Sequence, residues 1–138
     1  MTLTETPREQ NSNILNYARE LTELIKKGQL SHRASDAELL IKQLTDELDA
    51  HVDEENAYLL PFLFQHPNER IRETARRSKN KLNEIVPQIK RWSNAWRASQ
   101  IENHPDAFFD ETRQVFMRLK AHIDDENTRL FPLVELEK

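Results

Sequence analysis

Cysteine is absent from the 138 residues, which excludes disulfides, thiolate metal sites, cysteine nucleophiles and thiol redox switching together. Any bound metal must therefore be held by nitrogen and oxygen. Glycine occurs once, so a Gly-rich phosphate loop is excluded and tight hairpins are disfavoured. No apolar run approaches the ~18–20 residues of a membrane span, or the shorter apolar core of a signal peptide. The stretch from Met1 to Gln10 is polar, and the expectation is a cytoplasmic protein without a membrane partner. Positive charge is also in deficit: 20 Lys+Arg against 24 Asp+Glu leave a net charge of -4. That is the wrong sign for a protein that depends on phosphate contacts, and no nucleic acid partner is expected.

What is present is enough Leu, Ile, Phe and Trp to close one core, with 37% hydrophobic and 32% charged residues. The length falls within the ~100–150 residues of a typical domain, so a single domain over 1–138 is expected. Helix formers dominate, with Leu, Glu, Lys, Arg and Ala prominent, and the expected fold class is all-α. Four helices follow from caps and periodicity. The first, roughly 7–27, is announced by Thr6-Pro7-Arg8-Glu9 and carries an apolar face of Ile14, Tyr17, Ala18, Leu21, Leu24 and Ile25. Gly28 stands where a left-handed residue ends it.

The second, roughly 36–64, opens with a capping box at Ser35 to Glu38 and presents Leu40, Ile41, Leu44, Leu48, Val52, Leu59 and Phe62, with Pro61 near its end. The third, roughly 69–97, shows Ile71, Ala75, Leu82, Ile85, Ile89, Trp92 and Trp96, and Pro87 should bend it. The fourth, roughly 106–134, follows a loop through Asn103-His104-Pro105 and shows Phe108, Phe109, Thr112, Val115, Phe116, Leu119, Ile123, Leu130 and Phe131. Short polar loops between such helices give an antiparallel up-down-up-down bundle, in which the second and fourth run the same way on a diagonal. The aromatic cluster of Trp92, Trp96, Phe108, Phe109 and Phe116 reads as core, and the basic run from Arg70 to Lys81 as a solvated face.

A repeat carries the chemistry. Ala50-His51-Val52-Asp53-Glu54-Glu55-Asn56 followed by Leu59-Leu60-Pro61 recurs as Ala121-His122-Ile123-Asp124-Asp125-Glu126-Asn127 followed by Leu130-Phe131-Pro132. A His and a Glu four apart stack on one helix face. His51 and Glu55 fall in the apolar stripe among Leu44, Leu48, Leu59 and Phe62, and His122 and Glu126 fall likewise among Val115, Leu119, Leu130 and Phe131. Asp53, Glu54, Asp124 and Asp125 face outward. An uncompensated buried charge costs several kcal/mol, and two facing carboxylates cost more. A cation neutralises them, and imidazole with carboxylate suits iron, manganese or zinc.

This H-x-x-x-E pair, followed by an apolar residue and Pro, twice in a four-helix chain, resembles the hemerythrin-like HHE cation-binding family. The specific part of the resemblance is residues 50–63 and 121–134. It implies a non-haem di-iron centre between four helices, used for dioxygen binding, redox sensing, iron handling or nitric oxide chemistry. By that resemblance His51, Glu55, His122 and Glu126 are the metal ligands, and the implied partners are a metal ion and a small diatomic molecule.

The family's first and third helices also supply His ligands, whereas the matching levels here carry Gln10, Ile14 and Tyr17, flanked by Asn13, and Ser78 and Leu82. His32, His66 and His104 fall in loops at the bundle ends. Two imidazoles and two carboxylates can hold one metal with positions open to water, or two if the carboxylates bridge; another divalent metal can replace iron. The competing reading is a metal-free degenerate bundle, with each His satisfied by its Glu, acting as a protein-interaction module or as a homodimer through an exposed apolar strip. No nucleophile or separate acid/base pair is visible, so hydrolysis is not expected.

Overall fold

The computed structural model describes residues 2–136; Met1, Glu137 and Lys138, which the one-domain expectation includes, lie outside the described residues. Four long helical rods form an all-α bundle, and no strand occurs among the described residues. The first rod is α1 (Glu5–Lys26) and the second α2 (Ala34–Glu54) continued by α3 (Leu60–Phe64). The third is α4 (Glu69–Ala95), and after a short α5 (Ala98–Asn103) the fourth is α6 (Pro105–Asp125) continued by α7 (Phe131–Glu135). α1 and α4 each pack against both α2 and α6, so α2 and α6 face each other on the diagonal. Pro87 lies inside α4 on its exposed side without interrupting it.

The ends of the rods correct several expectations. α1 begins at Glu5, two residues before the expected start. Its cap is Thr4, whose hydroxyl donates instead to Glu135 Oε2 of α7 at 2.8 Å. The expected capping box of the second helix is not formed, because α2 begins at Ala34. Glu38 turns instead to α5, where its Oε1 accepts the Ala98 N–H at 2.8 Å. α5 thus forms a short helix between the third and fourth rods, where a loop is expected from the sequence.

Gly28 behaves as expected. With φ of 66° it closes α1, its N–H donating to Ile25 O and the Gln29 N–H to Leu24 O, both at 3.1 Å. This is the paired bonding that satisfies the last carbonyls of a helix. A Cβ at Gly28 would meet nothing within 4 Å. Gly28→Ala therefore isolates the cost of left-handed backbone, and a loss of about 1 kcal/mol is expected by chemical denaturation.

Each copy of the repeat contains a wide helical turn, Glu55–Leu59 and Glu126–Leu130. The Leu60 N–H donates to Glu55 O and the Phe131 N–H to Glu126 O, five residues back rather than four. Proline is the cause. Pro61 and Pro132 have no N–H, and their rings would clash with the carbonyl four residues earlier in a regular helix. One extra residue in the turn relieves the clash, as single wide turns often do at functional sites.

The extra residue also shifts the inward face by one position. Leu59, Leu60 and Leu63 are buried, while Phe62, expected in the core, is 42% exposed. In the second copy the Asn127 carbonyl, left over by the wide turn, accepts from Arg8 Nη2 at 3.2 Å. Arg8 also grips Glu135 through Nε at 2.6 Å and Nη2 at 2.7 Å, fastening α1 to α7.

Burial divides into two apolar clusters. The larger runs from Ile14, Leu21, Leu44 and Leu48 to Ile89, Trp92, Phe108 and Ile123. Trp92 meets Phe116 edge-on at 5.5 Å and Trp96 meets Phe108 at 5.2 Å, while Phe109, expected with them, points outward. The smaller cluster is Leu59, Leu60, Leu63, Ala75, Leu130 and Phe131. Among the buried side chains that belong to neither are Gln10, Asn11, His51, Glu55, Ser78, His122 and Glu126.

Candidate metal centre

The wide turns begin at the two glutamates, so each H-x-x-x-E pair sits on the last regular turn of its helix before the widening. His51 and Glu55 are each 1% exposed and Glu126 is fully buried. Because α2 and α6 are diagonal neighbours running in the same direction, the two copies meet across the bundle axis. His51 Nε2 lies 3.1 Å from Glu55 Oε1 on its own helix and 3.0 Å from Glu126 Oε1 on the opposite one. His122 Nε2 lies 3.3 Å from Glu126 Oε2. Glu126 thus stands between the two imidazoles.

The structure brings three of the four expected ligands into one group. His51, Glu55 and Glu126 each offer an atom within 4.8 Å of the others. His122 is buried beside them and reaches the group through Glu126. Of the acids expected to face outward, Asp53 and Asp124 are exposed while Glu54 and Asp125 are half-buried, and His32, His66 and His104 lie in the connections between helices.

Polar residues of α1 complete the surroundings. Gln10 Oε1 accepts from His51 Nδ1 at 3.1 Å. An amide oxygen only accepts, so Nδ1 carries a proton and Nε2 is the nitrogen left for the carboxylates or a cation. Asn11 Nδ2 donates to Glu126 Oε1 at 3.0 Å and lies 3.3 Å from Asn127 Oδ1. The sequence reading named Gln10 but passed over Asn11. The signal was there, since stepping back from Ile14 by three and four residues reaches both. Tyr17 packs half-buried against the larger apolar cluster, as a core tyrosine does.

Without a cation the charges settle on each other. Burial opposes a charge on His51, but hydrogen bonds and attraction from Glu126 and Glu55 prevail and push it up to about 10. Burial pushes Glu55 up to about 7, against the pull of His51. Burial acts on Glu126 in the same sense. There the close polar contacts with His122, His51 and Glu55 win and hold it well below the usual carboxylate range.

The donors are not all satisfied by one another. Glu55 Oε1, Glu126 Oε2 and His122 Nε2 are buried with only the ion-pair contacts of 3.1 and 3.3 Å and no well-aligned hydrogen bond, and His122 Nδ1 has no partner among the described residues. Buried polar atoms are nearly always well paired, and four poorly satisfied atoms in one layer call for a further partner. Two imidazoles and two carboxylates are a nitrogen and oxygen set that suits a borderline transition-metal cation.

A polar layer of this kind, built from paired His and Glu on facing helices, defines a bundle that can carry a cation in its core. The hemerythrin HHE cation binding domain matches the chain over residues 2–134, and the chain belongs to that family. No curated protein and no solved structure matches it. Among the described residues no helix is long and apolar enough to cross a membrane.

Proposed function

We propose that the chain binds a single cation of the iron class through His51, Glu55, Glu126 and His122, and that it serves as a non-haem iron protein for a small diatomic ligand or peroxide. The observation that supports this most is the convergence of two imidazoles and two carboxylates in one buried layer, where Glu55 Oε1, Glu126 Oε2 and the His122 ring nitrogens make no well-aligned hydrogen bond. A nucleus of two such metals in this family draws on histidines from all four helices, by the resemblance noted above. Here α1 offers Gln10 and Asn11, and α4 offers Ser78 and Leu82, so the protein ligands suffice for one ion with open positions. When bound, iron supplies Lewis acidity and one-electron chemistry at those open positions.

The chain's own residues do the rest. Gln10 holds the His51 ring by Nδ1 and so aims Nε2 inward. Asn11 orients the Glu126 carboxylate. Supporting partners of this type fix ligand rotamers and strengthen metal affinity. Leu48 and Leu59, buried on the same rod, flank the layer, and His51, Glu55 and Glu126 are at most 1% exposed.

The reading has a proton signature. A ligating imidazole must be neutral, whereas His51 at about 10 is protonated at neutral pH. Loading the metal-free chain with ferrous ion at pH 7 should therefore release about one proton or more per ion, with affinity rising as pH rises toward 10. Calorimetry in buffers of different ionisation enthalpy measures the release. Binding with no proton released would remove His51 from the ligand set.

A further inference from the structure

α4 and α6 part on their outer side to leave a cleft of about 900 Å³, within the ~300–1,000 Å³ range of small-molecule sites. Its walls carry Arg77 and Lys81 from α4, Arg118 from α6 and Arg129 from the wide turn that follows, against Glu84 and Asp125. These charges do not cancel within the cleft. Arg129 Nε pairs with Asp125 at 3.3 Å, and Arg118 Nη1 donates to the neutral Gln88 at 3.0 Å. Arg77 and Lys81, one helical turn apart, meet no carboxylate among the described residues. Like charges at that spacing repel. A cation-rich cleft on a chain of net charge -4 runs against the average of the surface.

The cleft also reaches inward. His122 lines it, although the residue is only 5% exposed; its Nε2 faces Glu126 Oε2 at 3.3 Å, and its Nδ1 has no hydrogen-bond partner among the described residues. Ile85, Ala121 and Leu133 supply an apolar wall beside the charges. Cations at the rim, a buried imidazole with one free ring nitrogen inside and an apolar wall between them are the few convergent polar groups and apolar lining that a small-molecule site needs.

We propose that this cleft binds a small organic anion. Arg77 and Lys81 hold its oxyanion, Ile85 and Leu133 contact its apolar body, and His122 donates a hydrogen bond at the inner end. A cation is disfavoured by the same charges, and a neutral molecule leaves Arg77 and Lys81 unpaired. The seat adjoins the proposed metal layer through His122 but does not depend on it, because its charges come from residues outside the ligand set.

The test is calorimetric titration of the full, chelator-treated chain with phenyl phosphate, and with benzyl alcohol as its uncharged counterpart. Phenyl phosphate is expected to bind at least about tenfold more tightly, and Arg77→Gln combined with Lys81→Gln to weaken it by at least about tenfold. Lys26→Gln combined with Lys27→Gln removes the same charge from exposed positions at the end of α1 and should leave binding within about twofold. The ring nitrogen signals of His122 should shift on saturation. Equal binding of the two compounds, equal weakening by the two double variants, or unmoved His122 signals would each overturn the proposal.

Discussion

Protein carrying His51→Ala is expected to retain at most about a tenth of the iron bound by the unaltered chain, after purification from aerobic cells grown with added iron. Losing a group that merely supports a ligand costs ~10–100-fold in affinity, so losing the ligand itself costs at least as much. His51 is the sensitive position because its Nε2 lies 3.0 Å from Glu126 and 3.1 Å from Glu55, between the two carboxylates. His122→Ala should lower iron less steeply, since His122 reaches the group through Glu126 alone. Gln10→Leu should lie in the range expected for a supporting residue. Elemental analysis of the variants side by side checks the order. Iron content that is the same in His51→Ala as in the parent would count against the site.

The second large effect concerns stability, and it has opposite signs for one substitution and for four. Glu126→Leu alone strands His51 and His122 without their shared carboxylate and should destabilise the metal-free chain by about 3–5 kcal/mol. Replacing His51, Glu55, His122 and Glu126 by leucine together removes every charge from the layer and joins the two apolar clusters. It should stabilise the metal-free chain by about 1–4 kcal/mol. Denaturant unfolding in the presence of a chelator measures both.

The pH profile adds a check. Because Glu126 is held below its ordinary range, its contribution is present above the unfolded carboxylate value and is lost as pH falls through the folded one. His51, raised to about 10, contributes fully below its unfolded value, and that contribution is lost as pH rises through about 10. The unaltered chain should therefore lose stability at both ends of the scale, and the four-leucine variant should show a flatter profile. A four-leucine variant that does not fold would show that the polar layer is required for the bundle itself.

Much of this was legible in the residues. The twice-written A-H-x-D-x-E-N block, set in an apolar stripe at helical spacing, pointed to inward His and Glu, and all four are buried. The single Gly and the helix-forming composition pointed to a bundle, and Gly28 closes α1 as its isolation implied. What escaped the reading depended on departures from the regular helix. Counting at 3.6 residues per turn carries Phe62 into the core, but the wide turn ahead of Pro61 adds a residue and brings Leu63 there instead. The sequence places Pro61 near the end of its helix without showing that the turn ahead of it widens.

The caps failed for a different reason. Thr4 and Glu38 are satisfied by partners distant in sequence, Glu135 and Ala98, and local spacing holds no information about those. Spacing puts Asn11 on the inward side of α1, but its role as a support for Glu126 is a contact between distant parts of the chain. Its bond to Glu126 joins residues 115 apart.

The central claim is that the buried His and Glu layer holds a cation. The most direct measurement is the metal content of the unaltered chain and of the four-leucine variant, each loaded anaerobically with ferrous ion and freed of excess by gel filtration. The account predicts about one equivalent of iron in the first and a background level in the second. Equal metal in both, or none in the unaltered chain, would contradict it.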